Sequence, residues 1–88
     1  MGERQVRIGS KVGLHARPAS MFAKAVAQAG RPVQIAKDGS PPVNARSLLN
    51  LLTLGAAHGD VVTLHAEGEG ADATLDELAA MLERELDG

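Results

Sequence analysis

The chain has no cysteine, tryptophan or tyrosine, and phenylalanine occurs once, at Phe22, in 88 residues. Without thiols there is neither a disulfide framework nor a thiolate metal site, a composition that suits a reducing cytosol without demanding it. The near-absence of aromatics, with a formal charge of −2 and an isoelectric point near 5.8, leaves no basic, aromatic-studded surface of the kind nucleic acids bind. No stretch approaches the ~20 apolar residues of a membrane span, and the opening MGERQVRIG carries charges where a signal peptide has an apolar core. The expectation is a soluble, cytoplasmic protein that is not exported. A chain this long buries somewhat over ~60% of its extended surface, enough for one modest core and a single domain over residues 1–88, with no repeat, linker or low-complexity segment.

What is present is an apolar pattern whose period changes along the chain. Val6 and Ile8 alternate with Gln5 and Arg7, which predicts a half-buried strand over residues 5–9. From Pro18 to Gln28, Ala19, Phe22, Ala23 and Val26 recur at helical spacing with Arg17, Ser20, Lys24 and Gln28 opposite, and Gly30 supplies the stop. Val33 and Ile35 alternate with Gln34 and Ala36 in a second strand. That strand turns at Asp38 and Gly39 into a short third one around Val43, where Pro41 and Pro42 suit an edge or a loop. Residues 47–54 read as a short helix and 60–67 as a strand with Val62, Leu64 and Ala66 on one face. A turn at 68–70 leads to a last helix over 71–86 with Leu75, Leu78, Leu82 and Leu86 on one side. The order βαββαβα, with strands apolar on one side only, predicts an α+β fold in which helices cover one face of an antiparallel sheet. Strand order does not follow from this pattern.

Residues 13–19, GLHARPA, place a histidine beside an arginine where a helix begins. Pro18 falls in the first turn, where a missing N–H costs nothing and the fixed φ suits the helix. His15 then stands at a helix start, where unpaired amides and the positive end of the macrodipole favour an anion. A neutral imidazole is a nucleophile, and with a reference pKa of roughly 6.5 it is largely deprotonated at neutral pH. A phosphoryl group on His15 would bring about two negative charges beside the Arg17 guanidinium and the free amides. Each charge-assisted hydrogen bond there contributes roughly 1.5–3 kcal/mol. A histidine before a helix is, taken alone, more often a plain solvated residue; Arg17 and Pro18 shift the balance toward chemistry.

Taken whole, GLHARPA resembles the active-site segment of the HPr family, the histidine-containing phosphocarriers of the bacterial phosphoenolpyruvate-dependent sugar phosphotransferase system. Residues 44–59, NARSLLNLLTLGAAHG, are similar to the family's second signature, a serine opening a short helix that closes on leucine and glycine, and residues 60–70, DVVTLHAEGEG, to its last strand and turn. The order and spacing match along essentially the whole chain. The resemblance implies an open-faced β-sandwich, a four-stranded antiparallel sheet covered on one face by three helices. It implies that His15, through Nδ1, accepts phosphoryl from Enzyme I and passes it to sugar-specific IIA domains. Arg17 then compensates phosphate charge and the Ala16 and Arg17 amides act as donors. The carrier needs no cofactor, binds no metal, is not an enzyme by itself, and is simplest as a monomer. Two departures stand out: Val12 replaces a small polar residue three before the histidine, and one extra residue lies around Ser40 to Pro42.

Leu48, Leu49, Leu51, Leu52 and Leu54 wrap right round a short helix, so not all can face one core. Either the helix is nearly buried or some of them form a docking patch. The resemblance turns Leu51 and Leu54 inward and joins Leu48, Leu49 and Leu52 to Ala16, Arg17, Ser20, Met21 and Lys24 in one face that meets donor and acceptor in turn. Arg17, Lys24 and Arg46 on that face favour acidic partners. Ser47 reads as an N-cap worth roughly 1 kcal/mol, and by resemblance also as a regulatory phosphoserine made by an HPr Ser kinase. His58 and His65 lie in a loop and on the solvent side of a strand, at no metal-ligand spacing. A nitrogen-type regulatory paralogue and a non-phosphorylated binding module are the alternative readings.

Overall fold

The computed structural model describes residues 2–9, 13, 16–37 and 39–84. Within them run β1 (Gly2–Arg7), α1 (Ala16–Ala29), β2 (Gln34–Lys37), β3 (Val43–Asn44), α2 (Leu48–Leu54), β4 (Val61–Ala66) and α3 (Ala71–Glu83). This is the βαββαβα order expected from the apolar pattern. His15, Val12, Asp38 and Leu86, each given a part in the sequence reading, lie outside the described residues.

Every strand pairs antiparallel, in the order β1-β4-β2-β3, so the last strand enters between the first two. The register sets Val6 against Val62 and Ile35 against Leu64. Because side chains alternate across a strand, this pairing puts Val6, Ile35, Val62, Leu64 and Ala66 on one buried face. Gln5, Gln34 and Thr63 fall on the other. The helices pack on the apolar face: α1 supplies Ala19, Phe22, Ala23 and Val26, α2 supplies Leu51, and α3 supplies Leu75, Leu78, Ala79 and Leu82. The result is the open-faced sandwich, one side of the sheet left uncovered.

Element limits differ most from the expected ones in the first strand and the last helix. The first strand begins at Gly2, earlier than residue 5, because Gly2, Glu3 and Arg4 pair with Ala66, His65 and Leu64 without needing apolar alternation. Ile8 and Gly9 follow it as a tether. Ile8 N donates to Asp60 O at 2.9 Å, Gly59 N donates to Ile8 O at 2.9 Å, and Gly9 N donates to Leu82 O at 2.7 Å. A Cβ on Gly9 would overlap the Glu83 carbonyl. The last helix ends at Glu83, with Arg84 already extended (φ −86, ψ 163). α1 stops at Gly30, whose φ of +74 suits a residue without Cβ.

Candidate functional site

Two helix starts and one loop make the site. Ala16 and Arg17 occupy the first positions of α1, so helix geometry leaves their amides without intrahelical carbonyl partners. Pro18 is buried directly behind them, and Arg17, Ser20 and Lys24 are exposed on the side of α1 away from the core. Met21 is exposed as well.

α2 packs against α1 and is capped at both ends. Ser47 is extended (φ −89, ψ 114) and its Oγ accepts from Asn50 N at 3.3 Å, while Gly55 closes the helix in the left-handed region (φ 70). The expected N-cap is therefore present. Arg46, one residue earlier, is exposed, and its amide donates to Asn44 Oδ1 at 3.0 Å. The five leucines divide three ways. Leu51 is fully buried, Leu48 and Leu49 are 42% and 70% exposed, and Leu52 and Leu54 are half-buried against the core. The resemblance placed Leu52 with the exposed face and Leu54 inward. Each instead straddles the boundary, because a helix of seven residues beside both α1 and β3 has core contacts over more than one stripe.

The loop over residues 55–60 joins this helix to β4, and Gly13 rests on it. Gly13 is buried with φ +74, and a Cβ there would lie 2.6 Å from Ala56 O and 2.9 Å from Ala57 Cα. Only glycine lets the two backbones approach so closely in that conformation. Within the loop, Ala57 N donates to Asp60 Oδ2 at 2.9 Å, and Lys37 Nζ lies 3.3 Å from the same oxygen. The Ala57 N–H first, and the Lys37 ammonium second, hold the Asp60 carboxyl below its ordinary value of 3.8. Neither Gly13's close approach nor the Lys37–Asp60 pair was assigned from sequence. The AHGD stretch ending at Asp60 is the one local sign of a turn there.

His58 is exposed in this loop, and His65 lies on the uncovered face of the sheet with Nε2 3.2 Å from Glu67 Oε1. Among the described residues no three histidine or acidic side chains are grouped to hold a metal, and no helix is long and apolar enough to cross a membrane. The main clefts, of about 410 and 470 Å³, lie along the second half of α1, lined by Val26, Gly30 and Arg46 in one case and by Ala25, Thr74 and Met81 in the other. Neither is lined by Arg17, Ser20 or Met21. The exposed Arg17, Lys24 and Arg46 together with the exposed Met21, Leu48 and Leu49 give a basic and apolar surface beside a helix start, of a kind suited to meeting another macromolecule.

Comparison with known proteins agrees. The family model described as the PTS HPr component phosphorylation site matches residues 2–84. The phosphocarrier protein HPr of Streptomyces coelicolor is 47% identical over 87 residues, covering 99% of this chain and 94% of its own. The phosphocarrier protein NPr of Shewanella violacea is 38% identical over 85 residues, covering 97% and 92%. Among solved structures, HPr-C-His from Thermoanaerobacter tengcongensis superposes with a TM-score of 0.90 at 33% identity, covering 100% of this chain and 98% of its own. The chain belongs to the HPr family of phosphocarrier proteins.

Proposed function

We propose that His15 is the phosphoryl acceptor, charged by Enzyme I at the expense of phosphoenolpyruvate and discharged onto sugar-specific IIA domains. In the first step the His15 nitrogen lone pair forms a bond to phosphorus as the donor's phosphorus–nitrogen bond breaks, and the donor nitrogen keeps the electron pair. The second step is the same exchange with His15 as the leaving group. The observation that carries this reading is the start of α1 immediately after His15, with Arg17 exposed beside it. Phosphate charge arriving there is balanced by the guanidinium and by the Ala16 and Arg17 amides.

Met21, Leu48 and Leu49, with the half-buried Leu52, form the docking face, and Ser20, Lys24 and Arg46 form its polar rim. One face serves donor and acceptor, because His15 must meet each partner's reactive nitrogen in line. Modest affinity suits repeated exchange. The carrier is a single domain over residues 1–88, acts in the cytoplasm as a monomer, needs no cofactor, and performs no turnover without its partners.

Ser47 is a second point of control in this reading, as the substrate of an HPr Ser kinase. Its hydroxyl caps α2 and stands next to Leu48 and Leu49. A phosphate there meets a helix start that tolerates it and an apolar face that acidic partners then avoid. The test is a relay: the chain is charged with Enzyme I, Mg²⁺ and phosphoenolpyruvate, then mixed with a IIA domain. Phosphate passing to the IIA domain supports the sugar branch, and phosphate retained on a chain that only a nitrogen-type Enzyme I charges contradicts it.

A further inference from the structure

The loop over residues 55–60 is fastened from several directions. Asp60 closes it on itself, with Asp60 N donating to Ala57 O at 3.0 Å and Ala57 N donating back to Asp60 Oδ2 at 2.9 Å. Lys37, at the end of β2, spans it: its Nζ donates to Gly55 O at 3.2 Å and lies 3.3 Å from Asp60 Oδ2, so one ammonium joins the loop's two ends. On the far side the loop carries Ile8, through its paired backbone bonds to Gly59 and Asp60, and Gly13, through the close approach to Ala56 and Ala57. The two described points nearest before α1 that touch this loop, one on each side of residues 10–12, rest on the same short piece of backbone.

We propose that Lys37 and Asp60 are positioning residues for phosphoryl acceptance: by fixing the 55–60 loop they set where Gly13, two residues before the acceptor in the chain, stands relative to the docking face. The inference rests on His15 being the acceptor. Both residues belong to neither α1 nor α2, and each is 36% exposed, so the pair adds little to global stability. Its effect falls on geometry, to which in-line transfer is sensitive: a misplacement of about 1 Å costs up to roughly 100-fold in rate. Loss of the clamp with the rest of the loop intact costs less, roughly 3- to 10-fold.

The test compares Asp60→Ala, Asp60→Asn and Lys37→Met with Asp76→Asn, which breaks the exposed Arg4–Asp76 pair linking β1 to α3. With Enzyme I, Mg²⁺ and phosphoenolpyruvate as the donor system, Asp60→Ala and Lys37→Met lower kcat by roughly 3- to 10-fold and leave KM within about twofold. Asp60→Asn, which keeps an acceptor for Ala57 N, recovers most of the loss, and Asp76→Asn behaves as wild type. The His15 ring nitrogens, followed by ¹H–¹⁵N NMR without any donor, shift in Asp60→Ala and Lys37→Met and stay in place in Asp76→Asn. Unmoved His15 signals in the first two, or an equal loss of kcat in Asp76→Asn, overturn the positioning role. A wild-type chain that takes no phosphate from an active donor overturns the acceptor reading instead, and the ring signals distinguish the two failures.

Discussion

Replacing Gly13 by alanine is the substitution on which the geometry speaks most plainly. Two costs add. A residue with a Cβ in the left-handed region costs roughly 1–2 kcal/mol, and Gly13 has φ +74. The added methyl would then stand 2.6 Å from Ala56 O and 2.9 Å from Ala57 Cα, both backbone atoms of a loop held by Asp60 and Lys37. Relieving that overlap means giving up one or two hydrogen bonds of about 1 kcal/mol each. The total is about 2–4 kcal/mol, against a stability of roughly 4–13 kcal/mol for a domain of this size, and lowers Tm by roughly 10–25 °C. Gly30 and Gly39 are the internal controls, since both have positive φ and neither Cβ would meet an atom within 4 Å. Alanine there costs only the conformational part, about 1–2 kcal/mol. With no tryptophan or tyrosine in the chain, urea unfolding followed by far-UV circular dichroism is the assay. Gly13→Ala no more destabilised than Gly30→Ala would refute the close approach on which the site is built.

Leu51→Ala opens a cavity beneath α2, because Leu51 is the fully buried leucine of that helix, and costs about 2–5 kcal/mol by the same unfolding assay. Leu49→Asp, at a side chain 70% exposed, changes stability by no more than about 0.5 kcal/mol yet slows charging by Enzyme I through a raised KM, read from initial rates. Asp60 contributes stability with a defined sign. Its folded pKa lies below the ordinary 3.8, so the contribution is present above that value and is lost as pH falls through the depressed folded one. Urea midpoints of wild type and Asp60→Asn therefore differ by only a small amount at pH 7, as an exposed pair requires, and converge once acid has protonated the native carboxyl.

How far the fold can be read before the structure depends on where each residue's partner lies. The stripe of Ala19, Phe22, Ala23 and Val26 and the alternation of Val62, Leu64 and Ala66 are local, and both face the core as expected. The extra turn of strand at Gly2 to Arg4 shows no such pattern, because backbone pairing with β4 forms it. The insertion of β4 between β1 and β2 likewise pairs strands far apart in the chain, which no local pattern announces. Five leucines in α2 signal that some must face outward, but only the packing of α1 and β3 around the helix separates the buried Leu51 from the straddling Leu52 and Leu54. The site divides in the same way. Arg17, Ser20, Lys24, Arg46 and Ser47 are legible as exposed or capping residues from the helix starts beside them. The contact of Gly13 with Ala56 and the pairing of Lys37 with Asp60 join residues far apart in the chain, so no local pattern announces them.

Phosphate carriage on His15 is read out by intact mass after incubation with Enzyme I, Mg²⁺ and phosphoenolpyruvate, with His15→Ala in parallel. One acid-labile phosphate is expected on the wild type and none on the variant. A folded wild-type chain that stays uncharged beside a control carrier charged by the same Enzyme I, or a phosphate that persists in His15→Ala, would contradict it.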